Sequence, residues 1–366
     1  MSAVFAAILV AIGLAAWTTA RAAQDAVLDS QSGSISAVAL DPSAPGFRAF
    51  AEPTPTGLVM HTAIRSSGRP ELSGVTLLAG ADADRGGTVV SIPADFTVEE
   101  LSGLTLAELF ENGGFSAVQA ELEQQLSIGF GEVVVLDSRS WTQLMASDIP
   151  LTLSLREDLI ELVSESESRT LLAAGTRPFD LAEIELIATH VNPDDTPRVV
   201  ARRQQEIWRA WIGQTAAADQ RPDIFSVDVG FVSLIDGLAS GEASYRTVPE
   251  TTEDFTELIS QIIPFPTAAE PGGRPSVMLL DGTGGAFDRA AVLAVVVRAG
   301  GQVAILGNDV SDARPTTEIQ VHDDRALETA RVLADQLGTA EPVLVPLSES
   351  TVDVTIVIGA DQLDGP

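Results

Sequence analysis

The chain contains no lysine and no cysteine; all 21 of its basic residues are arginine. Without lysine there is no Schiff-base catalyst and no Walker-type phosphate loop, since both need a primary amine. Without cysteine there is no disulfide framework, no thiolate nucleophile and no cysteine metal site. Histidine is nearly missing too. His61, His190 and His322 lie far apart with no metal-ligand spacing, and they read as surface residues. Positive charge is scarce overall: 52 acids give a formal net charge of −31. Nucleic acid is therefore excluded as a partner, because its phosphates repel such a surface.

What is present suffices for a folded protein. Hydrophobic residues make up 45% of 366 positions, enough for two ordinary domains. Residues 1–22 read as a transmembrane helix or a signal peptide. They hold a nearly unbroken apolar run from Ala3 to Trp17, and Arg21 is the first charge. A spanning helix needs roughly 20 such residues, while Ala20-Arg21-Ala22 has the small-x-small form of a cleavage site. Positive residues normally precede either element; their absence leads us to expect a true start upstream of Met1. The expected location is the cell membrane, single-pass with an extracellular domain, or the exterior after cleavage.

Residues 23–55 read as a linker that turns ordered near Phe47, and residues 56–263 as the first domain. A proline- and glycine-rich linker, 264–275, leads to a smaller domain, 276–361. Apolar runs at 57–64, 75–79 and 88–92 predict strands joined as hairpins. Asn112-Gly113-Gly114 predicts a helix stop, followed by a helix over 115–126 with Val118, Leu122 and Leu126 on one face. Residues 132–136 predict a strand. Further helices are expected at 138–145, 155–163, 180–187, 199–218 and 255–263. The carboxy-terminal part predicts β-α-β-β-α-β: strands at 277–280, 302–306, 317–321 and 352–358, helices at 289–298 and 323–337. The fold class is α/β, a central mixed sheet flanked by helices plus this smaller β-α-β-β-α-β unit.

Several motifs carry a family resemblance. Ser91-Ile92-Pro93-Ala94-Asp95 resembles the Ser-Ile-Pro-Arg-Asp signature of the LytR-CpsA-Psr family, with Ala94 in place of the arginine. The segment 106–114, the strand Val133-Val134-Val135-Leu136-Asp137 and the run Arg203-Gln204-Gln205 resemble that family's next motifs in order. Residues 277–361, with Asp281-Gly282-Thr283-Gly284 and Val357-Ile358-Gly359-Ala360-Asp361, resemble the domain that ends many LytR-type proteins. The Asp-Gly pair reads as a tight turn; its alternative is a ligand loop.

The family moves a phospho-polymer from a polyprenyl carrier to the wall. That chemistry needs several guanidinium forks and a divalent metal on a carboxylate. The resemblance places these groups at three sites, which here read Pro55-Thr56-Gly57, Ala94, and residues 187–191 with Thr189 and His190. All three lack the arginines and are expected to converge. Catalytic residues and metal ligands are therefore expected to be none. The residual ligand-binding candidates are Asp95, Arg198, Arg202, Arg203 and Gln204. Asp95 also reads as a cap of the helix after it, and Arg202 and Arg203 as a solvated helix face pairing with acids such as Glu206.

The expectation is an exported, non-catalytic envelope protein that binds or scaffolds in cell-wall assembly. Its partners would be a wall glycopolymer, a polyprenyl phosphate lipid or an envelope protein, with no cofactor. The alternative is an active phosphotransferase moving a polyprenyl-linked glycopolymer onto peptidoglycan, which would use Mg2+. A transcriptional regulator, the third reading, conflicts with the acidic charge and the export signal.

Overall fold

The computed structural model describes residues 41–64, 68–81, 86–98, 103–144, 150–164, 167–217, 229–311, 313–345 and 351–363. The expected membrane span or signal peptide lies outside these residues. Among them no helix is long and apolar enough to cross a membrane.

After β1 (Arg48–Phe50) come β2 (Thr56–Ile64), β3 (Pro70–Gly80) and β4 (Gly87–Pro93). β3 runs antiparallel to both β2 and β4. β2 and β3 are buried along almost their whole length. Strands covered on both faces need no polar alternation, which is why they read as continuous apolar runs.

α1 (Leu106–Leu126) starts at a capping box: the Thr105 side chain accepts from the Glu108 amide and Glu108 accepts from the Thr105 amide. Asp95, expected to cap this helix, sits exposed in the turn before it and does not. The expected stop at 112–114 is there as a break inside α1: Gly114, with φ 68°, is non-helical, and the helix resumes after it. A residue without Cβ takes that conformation at little cost, and the bend brings the Phe110 and Phe115 rings to 4.9 Å, edge to face.

β5 (Ile128–Gly129), β6 (Glu132–Leu136) and α2 (Ser138–Leu144) follow. The helix expected over 155–163 is absent. Those residues belong to β7 (Leu151–Leu155) and β8 (Leu159–Ser164). Leu151, Leu153 and Leu155 point inward while Thr152 and Ser154 are exposed; that period of two overrides the helix-forming composition. β8 pairs with β9 (Glu167–Leu172), and β7 with β10 (Gly175–Phe179). Then come α3 (Leu181–Thr189), α4 (Pro197–Ala217), α5 (Val229–Ala239), β11 (Ala243–Thr247) and α6 (Thr252–Ile262).

The central sheet has the order β11-β4-β3-β2-β6, with both outer pairs parallel. One face packs Val59, Leu78 and Val89 against Trp141, Phe179, Trp208 and Phe231. The other packs Leu58, Met60 and Leu77 against Leu106, Val118, Leu122 and Phe255. The result is helix, sheet, helix in three layers.

β12 (Thr267–Ala268) pairs back onto β5. The second sheet is built from β13 (Ser276–Asp281), β14 (Gln302–Asn308), β15 (Glu318–Val321), β16 (Val343–Leu344) and β17 (Val354–Ile358), with α7 (Arg289–Arg298) and α8 (Leu327–Gln336) packed on it. Its order is β1-β14-β13-β17-β15-β16. The expected β-α-β-β-α-β sequence of elements is there, with β16 added and β1 recruited from a segment read as linker. β1 lies against β14 because residue 307 is glycine; a Cβ there would stand 2.2 Å from the Phe47 carbonyl oxygen.

One arginine bolts the two sheets' layers together. Arg274, 5% exposed, donates Nε to Gly301 O (3.1 Å) and Nη1 to Leu126 O (3.2 Å) and Ser127 O (3.4 Å), and also donates to Val297 O. It thus closes the carboxyl ends of α1 and α7 at once, where helix carbonyls lack intrahelical donors. Burial pulls its pKa down to about 10, so it stays a cation at neutral pH. Arg298 pairs with Glu257 across the same seam.

Candidate functional site

Strand register decides which motifs can meet. Pro93 stands opposite Gly74 on β3, while Thr56 stands opposite Ala79. Five residues of strand separate those points, about 17 Å. Pro55-Thr56-Gly57 therefore lies at the far end of the sheet from Ala94, and the expected convergence of three sites fails there. The residues that do neighbour the Ala94 end are Leu72, Ser73 and Gly74, which the sequence did not single out.

α4 supplies the other wall. Gln204, 1% exposed, donates Nε2 to Ser73 Oγ (2.9 Å) and to the Ala188 carbonyl (3.1 Å). Ser73 Oγ in turn donates to the His61 carbonyl at 3.1 Å. Gly74 makes this possible, because a Cβ there would lie 2.5 Å from Gln204 Oε1. Gln205 reaches the other neighbour, donating to Arg246 O at 2.6 Å. Two of the expected places, Ala94 and 187–191, thus lie around one strand end, bridged by Gln204.

Arg203 does not pair with Glu206 on a solvated face. It is half-buried, ion-paired with Asp195, and donates to His190 O at 2.9 Å. Burial, the leading cause, lowers its pKa despite the facing carboxylate. Asp195 also accepts from the Asn192 amide (2.8 Å), and Asn192 Oδ1 accepts from the Ile160 amide (2.8 Å). These bonds fasten the α3–α4 loop to β8. Thr189 Oγ1 bonds back to Glu185 O at 2.8 Å, and His190 Nε2 meets Ile160 O at 2.8 Å. Arg202 is exposed and Arg198 half-buried; neither has an ion-pair partner among the described residues. Asp95 is exposed as well, so the five candidates form no single constellation.

Behind this strand end the interior is full. His61, read from sequence as a surface residue, is completely buried. Its ring stacks on Trp141 at 5.3 Å and meets the Trp208 edge at 6.2 Å. Its Nε2 lies 2.8 Å from Thr76 Oγ1, and its Nδ1 has no partner. Burial drives its pKa down to about 3, so the ring is neutral. Trp141, Trp208, Phe179 and Phe231 are among the largest fully buried side chains. They fill the layer between the sheet and the helices on that face. Among the described residues no three His, Cys, Asp or Glu side chains are grouped to hold a metal.

No protein-family model matches the chain, and no curated protein matches it. Solved structures do resemble it. TagT bound to LIIa-WTA aligns at 12% identity over 61% of this chain and 93% of that one, with a TM-score of 0.46. TagV of B. subtilis aligns at 13% identity over 54% and 85%, TM-score 0.42. The LytR-CPS2A-psr family protein YwtF (TagT) with bound octaprenyl pyrophosphate lipid aligns at 12% identity over 58% and 91%, TM-score 0.41. These are likenesses of outline at low identity, and residue roles here rest on this chain's own geometry.

Proposed function

We propose that this protein is an extracytoplasmic envelope protein that binds or scaffolds in cell-wall assembly without transferring phosphate. The ordered motif series from Ser91 to Gln205 supports the envelope reading. One observation carries the non-catalytic part: Gln204 and Arg203, the two candidates nearest the Ala94 strand end that make side-chain hydrogen bonds, are already held by partners within the protein. Gln204 is held by Ser73 and Ala188, and Arg203 by Asp195 and His190, while Ala94 presents a methyl group. Transfer of a phosphoryl group needs donors aimed at developing negative charge, and donors engaged internally would first have to give up their partners. The partners that fit this reading are a wall glycopolymer or an envelope protein.

The test is a titration of the full chain with a polyprenyl pyrophosphate, with and without magnesium, together with an assay for glycopolymer release from the carrier. We expect neither saturable binding nor turnover. Tight binding that is lost in Arg202→Gln or Arg203→Gln would refute the proposal and restore the phosphotransferase reading.

A further inference from the structure

β1 ends the second sheet. Its inner edge is bonded to β14, where Asn308 N donates to Phe47 O (2.9 Å) and Ala51 N to Ala304 O (3.0 Å). Backbone groups alternate sides along a strand. Residues 47, 49 and 51 therefore face β14. The N–H and C=O groups of Arg48, Phe50 and Glu52 face outward, where no strand lies among the described residues. The side chains sort in the same way. Ala51 packs on the core beneath α7 and α8, so Arg48, Phe50 and Glu52 share the opposite face. All three are exposed, Phe50 by 85%. Unpaired edges are normally blunted by proline, a bulge or repelling charge. Residues 48–52 hold no proline, β1 has no bulge, and the two charges are of opposite sign.

This edge is complementary to itself. Arg48-Ala49-Phe50-Ala51-Glu52 reads alike from both ends, except that its terminal charges are opposite. An antiparallel second copy centred on Phe50 sets Arg48 against the partner's Glu52, Glu52 against the partner's Arg48, and the two Phe50 residues against each other. All of these residues face outward, so each pair can exchange two backbone hydrogen bonds. The limits of the edge agree with that centre. Upstream, Gly46 takes φ 77° and gives its amide to Asp309 O (3.1 Å). Downstream, Thr54 gives its amide to Phe265 O (2.8 Å). Phe50 lies midway between them. Neither Arg48 nor Glu52 has an ion-pair partner among the described residues. In a chain of net charge −31 most surfaces repel a second copy; here the charges cancel in register.

We infer that two copies of this protein associate through β1, about a two-fold axis at Phe50, and join their second sheets into one continuous sheet. The Phe50 rings meet across the axis, and an Arg48–Glu52 pair flanks them on either side. A strand from another protein would supply the same backbone bonds but would match the flanking charges only by coincidence. The interface shares no residue with the Ala94 strand end or with α4, so either reading can fail alone.

The chain has no cysteine, so Phe50→Cys places one thiol per copy on the axis. Bonded antiparallel partners have Cα atoms about 5.5 Å apart, within reach of a disulfide. The full chain carrying Phe50→Cys is oxidised mildly and followed on a non-reducing gel, beside Val343→Cys on the opposite edge strand, β16. The unsubstituted chain is followed by sedimentation. It should form a concentration-dependent dimer, and Phe50→Cys should cross-link about tenfold faster than Val343→Cys or more. Adding Arg48→Glu to Phe50→Cys should slow cross-linking by about tenfold, since like charges then face each other twice. Adding Glu52→Arg as well should restore the rate, because both pairs are then reversed. These side chains are exposed, so the unfolding midpoint should stay where it was. A monomer at every concentration overturns the inference. So do equal cross-linking of the two cysteine variants, an Arg48→Glu exchange without effect, or a second exchange that fails to restore the rate.

Discussion

Acid should unfold this protein through His61. The ring is fully buried, sandwiched by Trp141 and Trp208, and has one polar contact, to Thr76. Protonation would place a cation among indoles with an Nδ1–H that has no acceptor. In the unfolded chain the same ring titrates near its ordinary 6.5; in the folded chain its pKa falls to about 3. Below 6.5 the unfolded state binds the proton and the folded state does not, so stability is complete above that value and drains away as pH drops toward about 3. The whole gap corresponds to about 5 kcal/mol, of which about 3 kcal/mol is lost between about pH 7 and about pH 4. The assay is urea unfolding followed by tryptophan fluorescence across that range, for the wild-type chain and for His61→Gln. Other carboxylates contribute to both proteins alike, so the difference between the two curves isolates the histidine. The variant should be less stable at neutral pH and lose about 3 kcal/mol less on acidification. Parallel curves would refute the reasoning and mean that the ring accepts a proton in place.

Three further outcomes are expected. Arg274→Ala should lower stability by about 3 kcal/mol or more, because carbonyls at two helix ends lose their donor, and Arg274→Lys should recover less than half of it in urea unfolding, since an ammonium cannot span the same fork. Asp195→Ala should destabilise by about 2–3 kcal/mol by leaving the half-buried Arg203 without its carboxylate, whereas Asp195→Leu with Arg203→Met should come close to the wild type; a double-mutant cycle reads the difference. Gly307→Ala should push β1 off β14, seen as faster amide exchange at Ala49 and Leu306 with little change at Val59 or Leu78.

How much was legible depended on whether a residue's role is local. The strands of the central sheet were readable because Leu58 to Met60 and Leu77 to Ala79 are apolar whichever face they present. The carboxy-terminal alternation of strand and helix was equally plain, each element being bounded by Gly, Pro or Asp. Residues 155–163 were misread because Glu and Leu favour helix locally, and only the pairing of β7 with β10 and of β8 with β9 shows that they are strands. His61 looks the same in sequence whether it faces water or tryptophan. Arg274 hid inside a proline- and glycine-rich stretch that reads as a boundary, though its job is to span that boundary. At the candidate site, Gln204 was found through its motif, but its partner Ser73 is brought to it only by the packing of α4 on β3. The β2–β3 and β3–β4 registers separate Thr56-Gly57 from Ala94, which the family resemblance had grouped.

β1 and β14 are far apart in the chain yet side by side in the sheet, and this sets the path that tension takes. A pull on the chain upstream of Asp41 arrives first at residues 46–51, held by Gly46 N to Asp309 O (3.1 Å), Asn308 N to Phe47 O (2.9 Å) and Ala51 N to Ala304 O (3.0 Å). Because the pull runs along the strand, these bonds and the β1–β14 ladder are loaded together, in shear, instead of opening one by one. The second sheet takes the strain, and β2, with the tryptophan-filled layer behind it, is shielded until β1 lets go.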